Sequence, residues 1–188
     1  SRELFVRLLA TGPALLDVWE DIDFIDMPGR LIPEWLGVRN RPSASAAHRY
    51  TIDRHMVEVV TRLGRETPSG GRYDDRHYEA LLLAGILHDI GKRPGVRDHA
   101  AEGARHAAVI VERMGFDRDI VRWVTLLVRE HLTLSEFATG RNPNDPNVGD
   151  DLAGRLDHDP VLLDMLFDLT RADGSSLGAT SGEAISKQ

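Results

Sequence analysis

The stretch LLLAGILHDIGK, from Leu81 to Lys92, is the most hydrophobic run of this sequence, and it ends in an ionisable pair. Its apolar residues leave almost no polar face, which is typical of a helix that is buried on all sides. His88 and Asp89 follow directly, and the helical pattern breaks at Gly91. Because an unpaired buried charge costs several kcal/mol or more, we expect the rest of the chain to supply partners for this pair.

Composition narrows the class of protein. The chain has 188 residues, of which 41% are hydrophobic and 28% charged, as expected for one globular domain with a substantial core. It contains no cysteine, so any bound metal must be held by His, Asp or Glu. The net charge of −7 argues against a broad nucleic-acid surface. No apolar run approaches the ~18 residues of a membrane span, so we expect a cytoplasmic protein that binds neither nucleic acid nor membrane.

The spacing of apolar residues predicts an all-α fold, because a period of 3.6 residues recurs and no useful strand alternation is present. Residues 3–25 are predicted to form one or two helices, followed by a Pro- and Gly-containing link over 27–45. Further helices are predicted over 51–65, 75–89, 99–114, 118–131 and 159–172, with 75–89 at the centre. The expected N-caps are Thr51, Asp98, Asp117 and Asp159. Residues 139–151 are predicted to be a loop, with a short helix near 150–156.

Ionisable side chains fall on the apolar stripes of five predicted helices, each near one end. They are His55, His88, Asp89, His99, His131 and Asp173. Taken singly, each is explained by an ordinary hydrogen-bonded core residue or by the dipole of a helix end. Taken together, six such groups need a shared counter-charge, and a metal centre supplies one. The pattern therefore predicts one or more divalent ions, with Mn, Fe, Zn and Mg all left open.

Three further histidines are not expected to lie near this cluster of ionisable residues. His77 lies eleven residues before His88, which places it roughly 16 Å away along the helix axis. His106 lies about two turns beyond His99, and His158 falls in a polar loop. All three are expected to be structural or surface residues.

The arrangement of His55, then His88-Asp89, then Asp173 resembles the H…HD…D signature of the HD-domain metal-dependent phosphohydrolases. The surrounding text is similar to the HD domain of the bifunctional PII uridylyltransferase/uridylyl-removing enzymes. The similar stretches are IPEW (32–35), HRYTIDRH (48–55), LLAGILHDIGK (82–92), RDHAAEGA (97–104), VREHLTLSE (128–136) and LTRADGSSLGAT (169–180).

This resemblance implies an HD-domain helical bundle with a central buried helix. It also implies a division into an N-terminal helical lead-in over 1–40, an HD phosphohydrolase domain over 41–180 and a tail over 181–188, the whole being a fragment of a longer protein. In that family the HD domain removes a nucleotidyl group from a tyrosine of the PII nitrogen-signalling protein, and a separate nucleotidyltransferase domain adds it. Nucleotidylated PII is therefore the expected partner and a nucleoside monophosphate, UMP or AMP, the expected product.

The resemblance also implies roles for individual residues. The principal metal is expected on His55, His88, Asp89 and Asp173, with Asp89 bridging to a second ion, and the extra ligands are expected to be His99 and His131. Lys92 is expected to neutralise phosphate charge. His48 is expected to act on the substrate or on a ligand. Asp89, Lys92 and His48 thus form the expected catalytic set.

Two other functions remain open at this point. HD domains share one site across many substrates, so a free nucleotide or an alarmone is an alternative substrate. The second alternative is a non-catalytic HD-like interaction scaffold, although such a scaffold need not retain the full ligand set. Glu130 departs from the family text, where a basic residue or His often precedes His131. Bound-metal analysis with a phosphodiesterase assay distinguishes these functions.

Overall fold

The computed structural model describes residues 2–43, 50–67, 70–140 and 145–176. These residues form helices and turns, and within them the only β-type pairing is an isolated antiparallel bridge between Pro42 and Thr51. The prediction of an all-α fold is therefore confirmed.

The described chain forms ten α-helices and one short 3₁₀ helix. The helices are α1 (Arg2–Leu9), α2 (Ala14–Phe24), α3 (Met27–Leu31), the 3₁₀ helix η1 (Pro33–Gly37), α4 (Ile52–Glu66), α5 (Asp75–Leu87), α6 (His99–Arg113), α7 (Arg118–Glu130), α8 (Thr133–Gly140), α9 (Pro146–Arg155) and α10 (Pro160–Ser176).

Helix α5 is the predicted central helix. It begins at the N-cap Asp74, whose side chain accepts a hydrogen bond from the backbone N–H of His77. From Ala80 to Leu87 every residue is buried, and the helix packs against α1, α4, α6, α7 and α10. The apolar run has no polar face because its neighbours cover it on all sides.

The predicted helix boundaries agree with the structure to within a few residues. Asp98, Asp117 and Asp159 each accept hydrogen bonds from backbone N–H groups at the start of the following helix. Thr51 precedes α4, but its side chain makes no capping hydrogen bond. Three of the four expected N-caps are therefore confirmed.

Two predicted connections are wrong in part. The link over 27–45 contains α3 and η1, and Trp35 in η1 is fully buried against Trp19, with ring centroids 5.3 Å apart. The loop predicted over 139–151 is helical from Pro146 onward, because Asp145 caps the backbone N–H of Asn147 and Pro146 occupies the first helical position. The cap at Asp145 and the proline after it thus start a helix in a segment whose composition is typical of a loop.

The N-terminal segment packs onto the same core as the central helix. Leu9, Leu15 and Trp35 are fully buried members of that core. The side chain of Glu34 also forms two hydrogen bonds with the guanidinium of Arg113 on α6, 2.7 and 2.9 Å long. The division at about residue 40 stays a prediction, and residues 181–188 lie outside the described part of the chain.

Among the helices of the described ranges, none combines the length and apolar character needed to cross a membrane.

Candidate metal centre

Two helices end in a histidine that points into the core. His88 follows α5 and His131 follows α7, and both rings are buried. The Nδ1 atom of each ring lies at hydrogen-bond distance from the backbone carbonyl three residues earlier, 2.8 Å from Gly85 O and 2.7 Å from Val128 O. A carbonyl only accepts, so Nδ1 carries the proton and Nε2 keeps its lone pair. The carbonyl ends of both helices also favour a nearby cation.

The first group of donors joins three helices at His55 of α4, His88 and Asp173 of α10. The Nε2 atoms of His55 and His88 are 3.3 Å apart. Asp173 Oδ1 lies 2.8 Å from His55 Nε2 and 3.8 Å from His88 Nε2. One donor atom from each residue lies within 4.8 Å of the other two, so the three could hold one metal ion.

The second group lies next to the first and consists of Asp89, His99 and His131. Asp89 Oδ1 is 3.7 Å from His99 Nε2 and 3.5 Å from His131 Nε2. These three atoms are buried and have no hydrogen-bond partner. Buried polar atoms normally have a hydrogen-bond partner. Three such atoms that lack a partner and lie close together therefore indicate a place where a cation could bind.

The carboxylate of Asp89 lies between the two groups. Its Oδ1 faces His99 and His131, as described above. Its Oδ2 lies 3.5 Å from His88 Nε2 and 3.8 Å from His55 Nε2. Each group therefore has one oxygen of the same carboxylate beside it, which is the arrangement that a bridging ligand requires.

The protonation states suit metal binding. Burial lowers the pKa of His88 to about 4, and burial also lowers the pKa of His99, so both rings are neutral near pH 7. Burial acts to raise the pKa of Asp89, but His88, His131 and Lys92 outweigh it and hold that pKa well below the ordinary value. Burial likewise acts to raise the pKa of Asp173, and contacts with His55 and His88 outweigh it and lower that pKa. Neutral imidazole and ionised carboxylate are the ligating forms.

His131 differs from His88 and His99. Burial acts to lower its pKa, but the adjacent Asp89 carboxylate outweighs burial and raises the pKa above the ordinary value. Asp89 thus favours a positive charge at this position.

The donor set fits divalent first-row ions. It contains imidazole nitrogens and carboxylate oxygens and no thiolate, which suits Mn, Fe and Zn better than a soft ion such as Cu(I). Each group supplies three protein donors, so a bound ion would retain positions for water or substrate.

The remaining predicted residues are placed differently. Lys92 points back to the centre, with Nζ 2.7 Å from Asp89 Oδ2, and about a quarter of its side chain is exposed. Its expected role towards phosphate stays a prediction. His48 lies outside the described residues.

The three histidines expected to be structural belong to neither group of the described donors. His77 stacks on Trp123, with ring centroids 4.1 Å apart. His106 Nε2 lies 3.1 Å from Glu102 Oε1. His158 occupies a turn with φ of 57°.

Two features around the site were missed by the sequence reasoning. Glu130, noted only as a departure from the family text, is buried beside His131 and accepts a 2.6 Å hydrogen bond from Thr133 Oγ1. Arg155 of α9 lies 3.4 Å from the same carboxylate oxygen. The second missed feature is Gly103 of α6, which lies against the turn that carries Asp89. In the sequence, its importance was indicated only by its position one helical turn after His99.

Comparison with known proteins agrees with the resemblance seen in the sequence. The HD domain family model matches residues 52–157. The bifunctional uridylyltransferase/uridylyl-removing enzyme of Mycobacterium tuberculosis (strain ATCC 25618 / H37Rv) is 36% identical over 171 residues, which cover 91% of this chain and 20% of that protein. The enzyme of the same name from Streptomyces coelicolor is 37% identical over 179 residues, covering 95% of this chain and 20% of that protein. The chain thus spans about a fifth of the length of these curated relatives.

A third relative extends the similarity. The bifunctional uridylyltransferase/uridylyl-removing enzyme of Corynebacterium glutamicum is 30% identical over 174 residues, covering 93% of this chain and 24% of that protein.

The family match begins at the first residue of α4 and includes five of the six donors described above, all except Asp173. On the family match and the donor arrangement together, this chain belongs to the HD domain family.

Proposed function

We propose that this chain is a metal-dependent phosphodiesterase that removes a nucleotidyl group, UMP or AMP, from a tyrosine of a PII signalling protein. The observation that carries the proposal is the pair of adjoining donor groups that share the carboxylate of Asp89. The choice of reaction is supported by the relatives, whose names include a uridylyl-removing activity.

In this proposal, His55, His88 and Asp173 would hold one ion. His99 and His131 would hold a second ion, and Asp89 would contribute to both. A divalent ion bound there would lower the pKa of a water molecule and withdraw charge from a phosphoryl oxygen.

The chain's own residues prepare the site for this chemistry. The carbonyls of Gly85 and Val128 orient the rings of His88 and His131, so that their Nε2 atoms point inward without rearrangement. The apolar packing of α5 excludes water from one side of the site, which strengthens the attraction between its charges. The positively charged side chain of Lys92 lies next to Asp89 and can turn towards a bound phosphate.

The overall reaction is the addition of water to a phosphodiester. The bond between phosphorus and the tyrosine oxygen breaks, the water oxygen joins phosphorus, and a proton goes to the tyrosine oxygen. We further propose that residues 41–180 form the catalytic unit, that 1–40 and 181–188 flank it within a longer protein, and that it acts in the cytoplasm.

The direct test is to incubate the metal-loaded chain with UMP-modified and AMP-modified PII. We expect one of the two nucleotides to be released, detected by chromatography, with a matching loss of mass from PII. Asp173→Asn should abolish release. Asp164→Asn, a change at an exposed position of the same helix, should leave release unchanged.

The alternatives give different outcomes in the same assay. Hydrolysis of a free nucleotide or alarmone, with no release from PII, would identify a small-molecule hydrolase. Absence of both activities and of bound metal would identify an interaction scaffold.

A further inference from the structure

The turn after α5 comes very close to the backbone of α6 at Gly91. A Cβ atom placed on Gly91 would lie 2.2 Å from His99 O, 2.4 Å from Gly103 N and 2.9 Å from Gly103 Cα. Gly91 is not among the glycines with positive φ, so its backbone conformation is open to other residues. Glycine is needed here because no space exists for a side chain.

Gly103 completes the contact from the other helix. A Cβ atom on Gly103 would lie 3.4 Å from Gly91 N and 3.5 Å from His88 O, and 3.3 Å from Val128 Cγ1 of α7. These distances are tight but tolerable, unlike those at Gly91. The two glycines therefore bring the end of α5, the first turns of α6 and the end of α7 to one point.

The ligands of the second group lie within one helical turn of this point. Asp89 is two residues before Gly91, and His99 is four residues before Gly103, on the same face of α6. His131 is three residues after Val128, whose carbonyl orients its ring. The separation of Asp89 and His99 is thus determined by how closely α6 approaches the turn at Gly91.

We infer that Gly91 and Gly103 are positioning residues: their backbone contact sets the distance between Asp89 and His99 and so completes the binding site for the second ion. This inference rests on the proposed function, which places an ion in each donor group. A methyl group at Gly91 meets backbone atoms, which cannot rotate away, so α6 must move by roughly 1 Å to restore an ordinary contact. Metal–ligand distances tolerate only about 0.2 Å.

The first ion should depend on this contact much less. Its ligands His55 and Asp173 lie on α4 and α10, and neither helix supplies the atoms nearest to a Cβ on Gly91. His88 and Asp89 lie on the α5 side of the contact, so a displacement of α6 should move His99 away from Asp89 while His88 and Asp89 stay beside α4 and α10. The expected defect is therefore selective for one ion of the two.

The experiment counts Mn²⁺ ions and measures their affinities by elemental analysis and calorimetry. We expect two ions per wild-type chain and one for Gly91→Ala. For the milder Gly103→Ala we expect the second ion to bind about tenfold to a hundredfold more weakly. The matched control is Gly64→Ala on α4, where a Cβ atom would lie 3.1 Å from Gly12 N in the turn between α1 and α2, again a contact with backbone but at a different place in the fold. It should retain both ions.

A double-mutant comparison separates positioning from general destabilisation. If Gly91 acts through His99, adding Gly91→Ala to His99→Ala should change Mn²⁺ affinity no further, whereas independent effects would add. Two ions of unchanged affinity in Gly91→Ala would overturn the inference and leave the proposed function intact. If Gly91→Ala does not fold, Gly103→Ala decides in the same way. A wild-type chain that binds neither Mn²⁺ nor Zn²⁺ would overturn the proposed function itself.

Discussion

The Nε2 atoms of His55 and His88 face each other at 3.3 Å, although 33 residues separate the two histidines in the chain. Nδ1 of His88 is occupied by the carbonyl of Gly85, so its Nε2 presents a lone pair towards His55. Asp173 lies 2.8 Å from the same His55 nitrogen. Two imidazoles and a carboxylate thus converge on one point, which is favourable only if a proton or a metal ion is shared there.

Asp89→Ala is expected to lower phosphodiesterase activity at least about a hundredfold, because the variant loses the carboxylate that lies beside both donor groups. The helix before it should keep its packing, since Ala80 to Leu87 contribute the buried surface. Kinetics together with a melting curve test this expectation. Full activity in the folded variant would contradict the proposed mechanism.

His131→Ala is expected to reduce the number of bound metal ions from two to one. Its Nε2 is buried and without a hydrogen-bond partner, which fits a metal ligand better than a packing residue. If it served only in packing, the variant would lose about 2–5 kcal/mol of stability with its metal content unchanged. Elemental analysis beside thermal unfolding distinguishes the two, and His77→Ala is the control because His77 belongs to neither donor group.

Removal of metal is expected to lower the melting temperature. A ligand present at a hundred times its Kd stabilises a fold by about 2.7 kcal/mol, which is about 5–10 °C for a chain of this size. Differential scanning fluorimetry with and without EDTA measures the shift. It should be smaller in Asp89→Ala, and an identical melting temperature with and without EDTA would count against a metal centre.

Lys92→Met is expected to lower kcat/KM by about a hundredfold while the metal content stays the same, because a positive charge near the phosphate is lost but no ligand is removed. Lys92→Arg, which keeps the charge, should retain more activity. The prediction fails if the methionine variant loses bound metal or keeps full activity.

Tyr73→Phe is expected to destabilise the fold without affecting the metal centre. The Tyr73 hydroxyl donates a 2.5 Å hydrogen bond to the buried carboxylate of Asp168 on α10, and Arg72 contributes a second hydrogen bond of 3.1 Å. Loss of the tyrosine bond should cost about 1–3 kcal/mol, or about 2–12 °C in melting temperature. Metal content should remain that of the wild type, and a selective loss of one ion would show that this contact also positions Asp173.

The spacing of apolar residues was sufficient to predict most of the helices, because the buried face of a helix depends on the spacing of its own residues. The same reasoning placed His55, His88, His99 and His131 on the inward face of their helices. It predicted the helix near 150–156 but placed its start too late, because capping by Asp145 begins α9 at Pro146 within a segment whose composition is typical of loops. It also missed the burial of Trp35, which depends on a partner, Trp19, in a different helix.

The amino-acid pattern was therefore enough to predict the fold class, the central helix and the residue types of the candidate metal centre. How those residues combine depends on the packing of the helices: His55, His88 and Asp173 form one group, His99 and His131 form another, and Asp89 faces both. The packing of α6 against the turn after α5 likewise leaves no room for a side chain at Gly91 and little room at Gly103. Side-chain direction along a helix follows from its period, whereas distances between helices follow from packing among residues far apart in the chain.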